Sequence, residues 1–107
     1  MSVGDWIEVA AVGALPSGGF IRADLDGTEI ALFNVDGVYH AIEDVCTHDG
    51  GTLTGGAIEG EQIVCPRHGA RFSILTGDAL TPPAYEPVQK FPVRVECGKI
   101  QVKDPRW

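Results

Sequence analysis

The sequence predicts an all-β fold, an antiparallel β-sandwich or small barrel of roughly eight to ten short strands. Three observations predict it. Apolar and polar residues alternate over short stretches, and no segment holds apolar residues at i, i+3, i+4 and i+7 over three turns. Gly 14 and Pro 7 in 107 residues imply many turns, which suits short strands better than long helices. Tight-turn signals, Asp36-Gly37 above all, separate neighbouring alternating runs.

Residues 6–12, "WIEVAAV", read as the first strand, ended by Gly13, Pro16 and Gly18-Gly19. Residues 20–25, "FIRADL", alternate and stop at Asp26-Gly27. Residues 29–35 and 38–43 flank Asp36-Gly37 as the clearest hairpin, because Asp-Gly readily takes the positive φ angles of a tight turn. Residues 61–65 make a short strand after Gly60, and 71–75 another, ended by Thr76-Gly77-Asp78. Residues 91–97 and 99–103 flank Gly98 as a last hairpin. Between them lies "LTPPAYEPV" (80–88), whose three prolines make it stiff and unable to join a central strand.

The length suggests one domain, residues 1–107. The N-terminus has neither a basic stretch nor a long apolar run, so neither a signal peptide nor a membrane span is expected, and the location is cytoplasmic by default. Three cysteines in such a chain argue against a disulfide framework. The formal charge is −7 and unevenly spread. Residues 1–64 carry eleven acids and one base, Arg22, whereas 65–107 carry four acids and seven bases. This excludes nucleic acid as an expected partner, since phosphate binding needs a net basic face. The surplus acid either steers basic partners or only maintains solubility.

Residues 44–72 hold the chemistry. Cys46 and His48 are separated by one residue, Cys65 and His68 by two, and sixteen residues lie between the pairs. Two loops that each offer a thiolate and an imidazole make a four-ligand site, and two metals compete for it. Zinc accepts two cysteines and two histidines in a tetrahedron, usually from like-with-like pairs. A [2Fe–2S] centre of Rieske type has two cysteines on one iron and two histidines on the other, which mixed pairs suit well.

"CTH" at 46–48 followed by "CPRHG" at 65–69 resembles the C-x-H-x₁₆-C-x-x-H motif of the Rieske family. The Asp-Gly hairpin before the first loop, the glycine after the second histidine and the proline loop at 82–87 match as well. The chain as a whole resembles stand-alone bacterial Rieske ferredoxins of ring-hydroxylating oxygenase systems. That resemblance implies a Rieske-like sandwich with a cluster-binding subdomain at about 44–84 and one [2Fe–2S] cluster. It assigns Cys46 and Cys65 to an inner iron, and His48 and His68 to an outer one near the surface. The segment around Pro82-Pro83 would cover the cluster from one side.

The function implied is one-electron transfer, not catalysis. A flavin-dependent NAD(P)H reductase would supply the electron and a terminal oxygenase would receive it, each in a transient encounter. With only His40 left over, the chain lacks the two-histidine, one-carboxylate site of a mononuclear-iron oxygenase. Two alternatives stay open: a permanent small subunit of a larger oxidoreductase such as nitrite reductase, and a zinc-binding interaction module.

Departures from the family pattern carry expectations too. In the respiratory branch two further cysteines bridge the loops, at positions that here are Gly51 and Arg67. A serine and a tyrosine there donate toward sulfur, at positions that here are Ala70 and Phe72. Donors to sulfur stabilise the reduced, more negative cluster, so their absence predicts a reduction potential at the low end of the Rieske range. Asp49 reads as a solvated loop carboxylate, and Arg67 and Arg71 as the rim of a docking face. Gly69 reads as a point of close backbone approach whose amide can donate to sulfur. Cys97 reads as a small buried hydrophobe, His40 as structural, and Trp6 and Phe91 as core.

Overall fold

A computed structural model describes residues 6–25 and 27–103. Ten strands follow in order: β1 (Ile7–Ala11), β2 (Phe20–Leu25), β3 (Thr28–Val35), β4 (Val38–Glu43), β5 (Ile58–Glu59), β6 (Gln62–Val64), β7 (Arg71–Ser73), β8 (Lys90–Phe91), β9 (Val93–Glu96) and β10 (Lys99–Val102). A single 3₁₀ turn, Val12–Ala14, ends β1 one residue earlier than the alternation suggests. Three antiparallel sheets result, ordered β1-β10-β9, β2-β3-β4-β8 and β5-β6-β7. No helix among the described residues is long and apolar enough to cross a membrane.

The β3–β4 hairpin is the spine. Asp36 and Gly37 both take positive φ, 51° and 88°, as the tight turn that matches strand twist requires. The Asn34 side chain secures this turn: its Oδ1 accepts from Gly37 N (2.8 Å) while its Nδ2 donates to Leu15 O (2.9 Å). Strand β3 is apolar and buried without a break from Ile30 to Phe33 because both its faces are covered there. Ile30 and Leu32 pack with Leu25, Phe91, Ile100 and Val102 on the side of β1-β10-β9. Ala31 and Phe33 pack the other way, with Ile42, Leu53, Ile63, Phe72 and Ile74, and so join the β5-β6-β7 sheet to the body.

Proline explains a strand switch that alternation hides. The run 91–97 is two strands: Phe91 pairs with Ala41 in one sheet, and Val93 pairs with Val102 in another. Pro92 has no amide to give to a ladder, and the chain changes sheet there. Strand β5 was not legible either; at two residues it carries too little pattern. Phe91 is buried as expected. Trp6 is not core: it is half-buried at the edge of the β1-β10-β9 sheet, with the Arg94 guanidinium 4.5 Å above its ring. Nor is Cys97 buried. With Gly98 it forms the β9–β10 turn, both residues at positive φ, which turns the thiol outward to solvent.

Candidate metal centre

Two loops of the same construction carry the four candidate side chains. The first, 46–51, leaves β4 after Asp44; the second, 65–70, leaves β6. In each, the cysteine amide donates to the carbonyl five residues on: Cys46 N to Gly51 O and Cys65 N to Ala70 O, both 2.7 Å. In each, the glycine four residues on returns its amide to the cysteine carbonyl: Gly50 N to Cys46 O (2.7 Å) and Gly69 N to Cys65 O (3.0 Å). Both glycines sit at φ 76°, where a side chain is strained. Gly69 is thus required by its backbone angle, and its amide goes to a carbonyl rather than to sulfur. The loops differ in what projects at matching positions. Two residues after the cysteine stand His48 and Arg67; three after it stand Asp49 and His68.

The structure brings the cysteines together and the histidines together. Cys46 and Cys65 are buried, their sulfurs and an Asp49 carboxylate oxygen all within 4.8 Å of one another. Outward from them, the His48 and His68 rings meet edge to face with centroids 5.1 Å apart. Ring nitrogens of both, with an Asp49 oxygen, also lie within 4.8 Å of one another. Neither cysteine is in a disulfide. Burial pushes the Cys46 thiol above its ordinary pKa, against the pull of the His48 and Asp49 amides; the neighbouring Cys65 adds to the rise. The site therefore has a soft, dry inner end and an imidazole outer end open to solvent.

A frame of hydrogen bonds and close packing surrounds the loops. The Asp44 side chain is shielded from solvent, and its Oδ1 accepts from Leu53 N (3.0 Å) and Thr54 N (2.9 Å). Its Oδ2 accepts from Thr54 Oγ1 (2.6 Å) and faces Arg22 Nε at 3.3 Å. One carboxylate thus ties the end of β4 to Leu53 and Thr54, in the middle of the glycine-rich segment 50–56. Gly56 is pressed against β6, where a Cβ would lie 1.8 Å from Val64 O. Thr47 Oγ1 donates to Glu86 O (2.6 Å), pinning the proline segment, with its cis Pro82–Pro83 bond, to the first loop. Sequence reasoning missed Asp44, Thr54 and Thr47, because nothing local marks a residue whose partner lies in another loop.

Three charged side chains near the loops are paired. Asp49 is exposed, as expected, but it is not a free carboxylate: Arg67 holds both its oxygens, which puts its pKa far below the usual carboxylate range. Arg67 and Arg71, read as the rim of a docking face, are also engaged within the chain. Arg67 bridges the loops, and Arg71 turns toward β5 and β6, donating to Glu59 (2.7 Å) and Gln62 (3.2 Å). His40 is structural as expected, with its Nδ1 3.1 Å from Lys90 Nζ.

This fold and this pair of loops define a class of protein. The family model of the Rieske [2Fe-2S] domain matches residues 5–92, and the chain belongs to that family. Its cofactor is a Rieske-type [2Fe–2S] cluster. The chain is similar to the ferredoxin component of the naphthalene 1,2-dioxygenase/salicylate 5-hydroxylase systems of Ralstonia sp, 34% identical over 99 residues, covering 92% of this chain and 95% of that one. It is 40% identical over 100 residues to a 3-phenylpropionate/cinnamic acid dioxygenase ferredoxin subunit of Shigella flexneri, covering 92% and 93%. A solved chain from the complex of reduced oxygenase and oxidized ferredoxin in carbazole 1,9a-dioxygenase superposes with a TM-score of 0.87 at 32% identity, covering 92% of each chain. The relatives are ferredoxin components, electron carriers rather than catalytic subunits, and this chain is a ferredoxin of that kind.

Proposed function

We propose that Cys46, His48, Cys65 and His68 hold the [2Fe–2S] cluster, the cysteines at its buried end and the histidines at its exposed end. The donor set fits: two free thiols face each other indoors, two imidazoles face each other outdoors, and each loop offers one of each kind. When bound, the cluster supplies a one-electron couple. The chain's own residues do the rest. The dry wall around Cys46 and Cys65, made of Leu53, Ala70 and Phe72, keeps water from the thiolates. The exposed edges of His48 and His68 offer a partner its shortest approach. We read residues 1–107 as a single Rieske domain whose cluster-binding subdomain spans about 44–84.

The same reading makes the chain a soluble cytoplasmic carrier. It takes electrons from an NAD(P)H-oxidising flavoprotein reductase and delivers them to a terminal oxygenase of the aromatic-ring type, in short-lived encounters. The observation that carries it is the exposed histidine pair above a buried cysteine pair. Support for an oxygenase partner comes from the carbazole dioxygenase complex, where the similar ferredoxin is bound to an oxygenase. Iron and acid-labile sulfide analysis, with EPR of the dithionite-reduced protein, tests the ligands. Iron and sulfide in equal amounts with a mixed histidine/cysteine signal is the expected result; zinc without sulfide would overturn it. Size exclusion of the native extract tests the carrier role, since a permanent subunit co-elutes with a large partner and a carrier elutes free.

A further inference from the structure

The first loop and the second share no backbone hydrogen bond among those that shape them; each closes on itself. Besides the approach of His68 Nδ1 to Asp49 Oδ2 at 3.5 Å, what joins them is Arg67. Its Nε donates to Asp49 Oδ2 and its Nη2 to Asp49 Oδ1 (3.0 Å), a fork-on-fork pair across the loops. Its Nη1 donates to Thr52 O (3.0 Å), just beyond the first loop, and Nη2 also reaches Cys65 Sγ at 3.4 Å. Four acceptor atoms on three residues therefore converge on one guanidinium. Gly51 makes the room: a Cβ there would stand 2.5 Å from Arg67 Cζ, although the Gly51 backbone itself is not at positive φ.

We propose that Arg67 is a positioning residue that clamps the two cluster-binding loops together and donates to the Cys65 sulfur, so that it both retains the cluster and raises its potential. This rests on the ligand assignment above. Arginine suits the role and lysine does not, because only a planar fork satisfies both Asp49 oxygens, Thr52 O and the sulfur at once. The donor to sulfur favours the more negative, reduced state. Asp49 acts through Arg67: it anchors the guanidinium and offsets its charge.

The test uses cluster-loaded protein and two variants that remove the clamp in different ways. Arg67→Gln deletes the fork. Gly51→Ala leaves every charge in place and evicts the guanidinium by sterics, so it separates the clamp from net charge. Loss of visible absorption under excess chelator should be about tenfold faster in both variants, the size usual for removing a group that supports a metal ligand. Both should show lowered midpoint potentials by redox titration, and Arg67→Lys should recover little of either effect. A merely structural role for Arg67 would leave the potential of intact protein unmoved. Bleaching within about twofold of the parent in both variants, with unchanged midpoints, would overturn the proposal. Should the unsubstituted protein itself contain no acid-labile sulfide, the ligand assignment fails instead, at a step before any variant is compared.

Discussion

Asp44 offers the sharpest test of how the loops are held. Replacing it with alanine removes the acceptor of two backbone amides and one hydroxyl at a site where the side chain is fully shielded from solvent. Leu53 is itself buried, so water cannot reach its freed amide without opening the core. The buried Leu53 amide costs about 1–3 kcal/mol when left unpaired, and the half-buried Thr54 amide adds less. In a domain of this size each kcal/mol moves the thermal midpoint by about 4–8 °C, so Asp44→Ala should lower it by at least about 4 °C. Arg22→Ala is the control. The Arg22 side chain is 55% exposed, so its ion pair with Asp44 contributes about 1 kcal/mol or less. Melting of cluster-loaded protein, followed by circular dichroism and by visible absorption, measures both. If Asp44→Ala melted within about 3 °C of the parent, the amides would have found other partners and the reasoning would be refuted.

Three further predictions concern other parts of the molecule. His40 is held neutral by burial first and by Lys90 second, with Glu61 opposing, so its folded pKa lies below the ordinary 6.5. The unfolded chain then binds more protons than the folded one between those two pKa values; His40 contributes full stability above about pH 6.5 and loses it as pH falls toward the folded pKa. Urea midpoints of parent and His40→Gln measured from pH 7.5 to pH 5 should therefore converge on acidification, and parallel curves would contradict the assignment. With alanine and phenylalanine at 70 and 72, both buried, the midpoint potential should lie below about +100 mV, and a higher value would sink the argument from missing hydroxyl donors. Gly56→Ala should fail to accumulate as cluster-loaded protein, because the new methyl meets backbone at Val64 rather than a side chain that can swing aside; a brown, normally folded Gly56→Ala would show that β6 yields there.

Much of the fold was legible because it is local. A strand announces itself by a period of two, a hairpin by residues that tolerate positive φ, and 20–25 and 38–43 form strands at the bounds expected from the alternation. The four candidate ligands stood out for a similar reason: their types and short spacings depend on the loops alone. Pairings between segments were not. Reading Asp49 by its neighbours in sequence found its exposure but missed its partner Arg67, which stands eighteen positions away. Cys97 was misjudged because residue type suggested burial while the turn geometry it shares with Gly98 turned it outward.

The sequence by itself determined that this is an antiparallel β protein with two thiols and two imidazoles on two short loops, because backbone angles, hydrophobic period and donor chemistry are properties of neighbouring residues. Only the tertiary structure decided that β3 is covered on both faces, that the chain changes sheet at Pro92, that Asp44 receives the amides of Leu53 and Thr54, and that Arg67 spans the loops. Those arrangements depend on where distant segments come to rest against one another, and that is set by packing of the whole core, not by any stretch of chain within it.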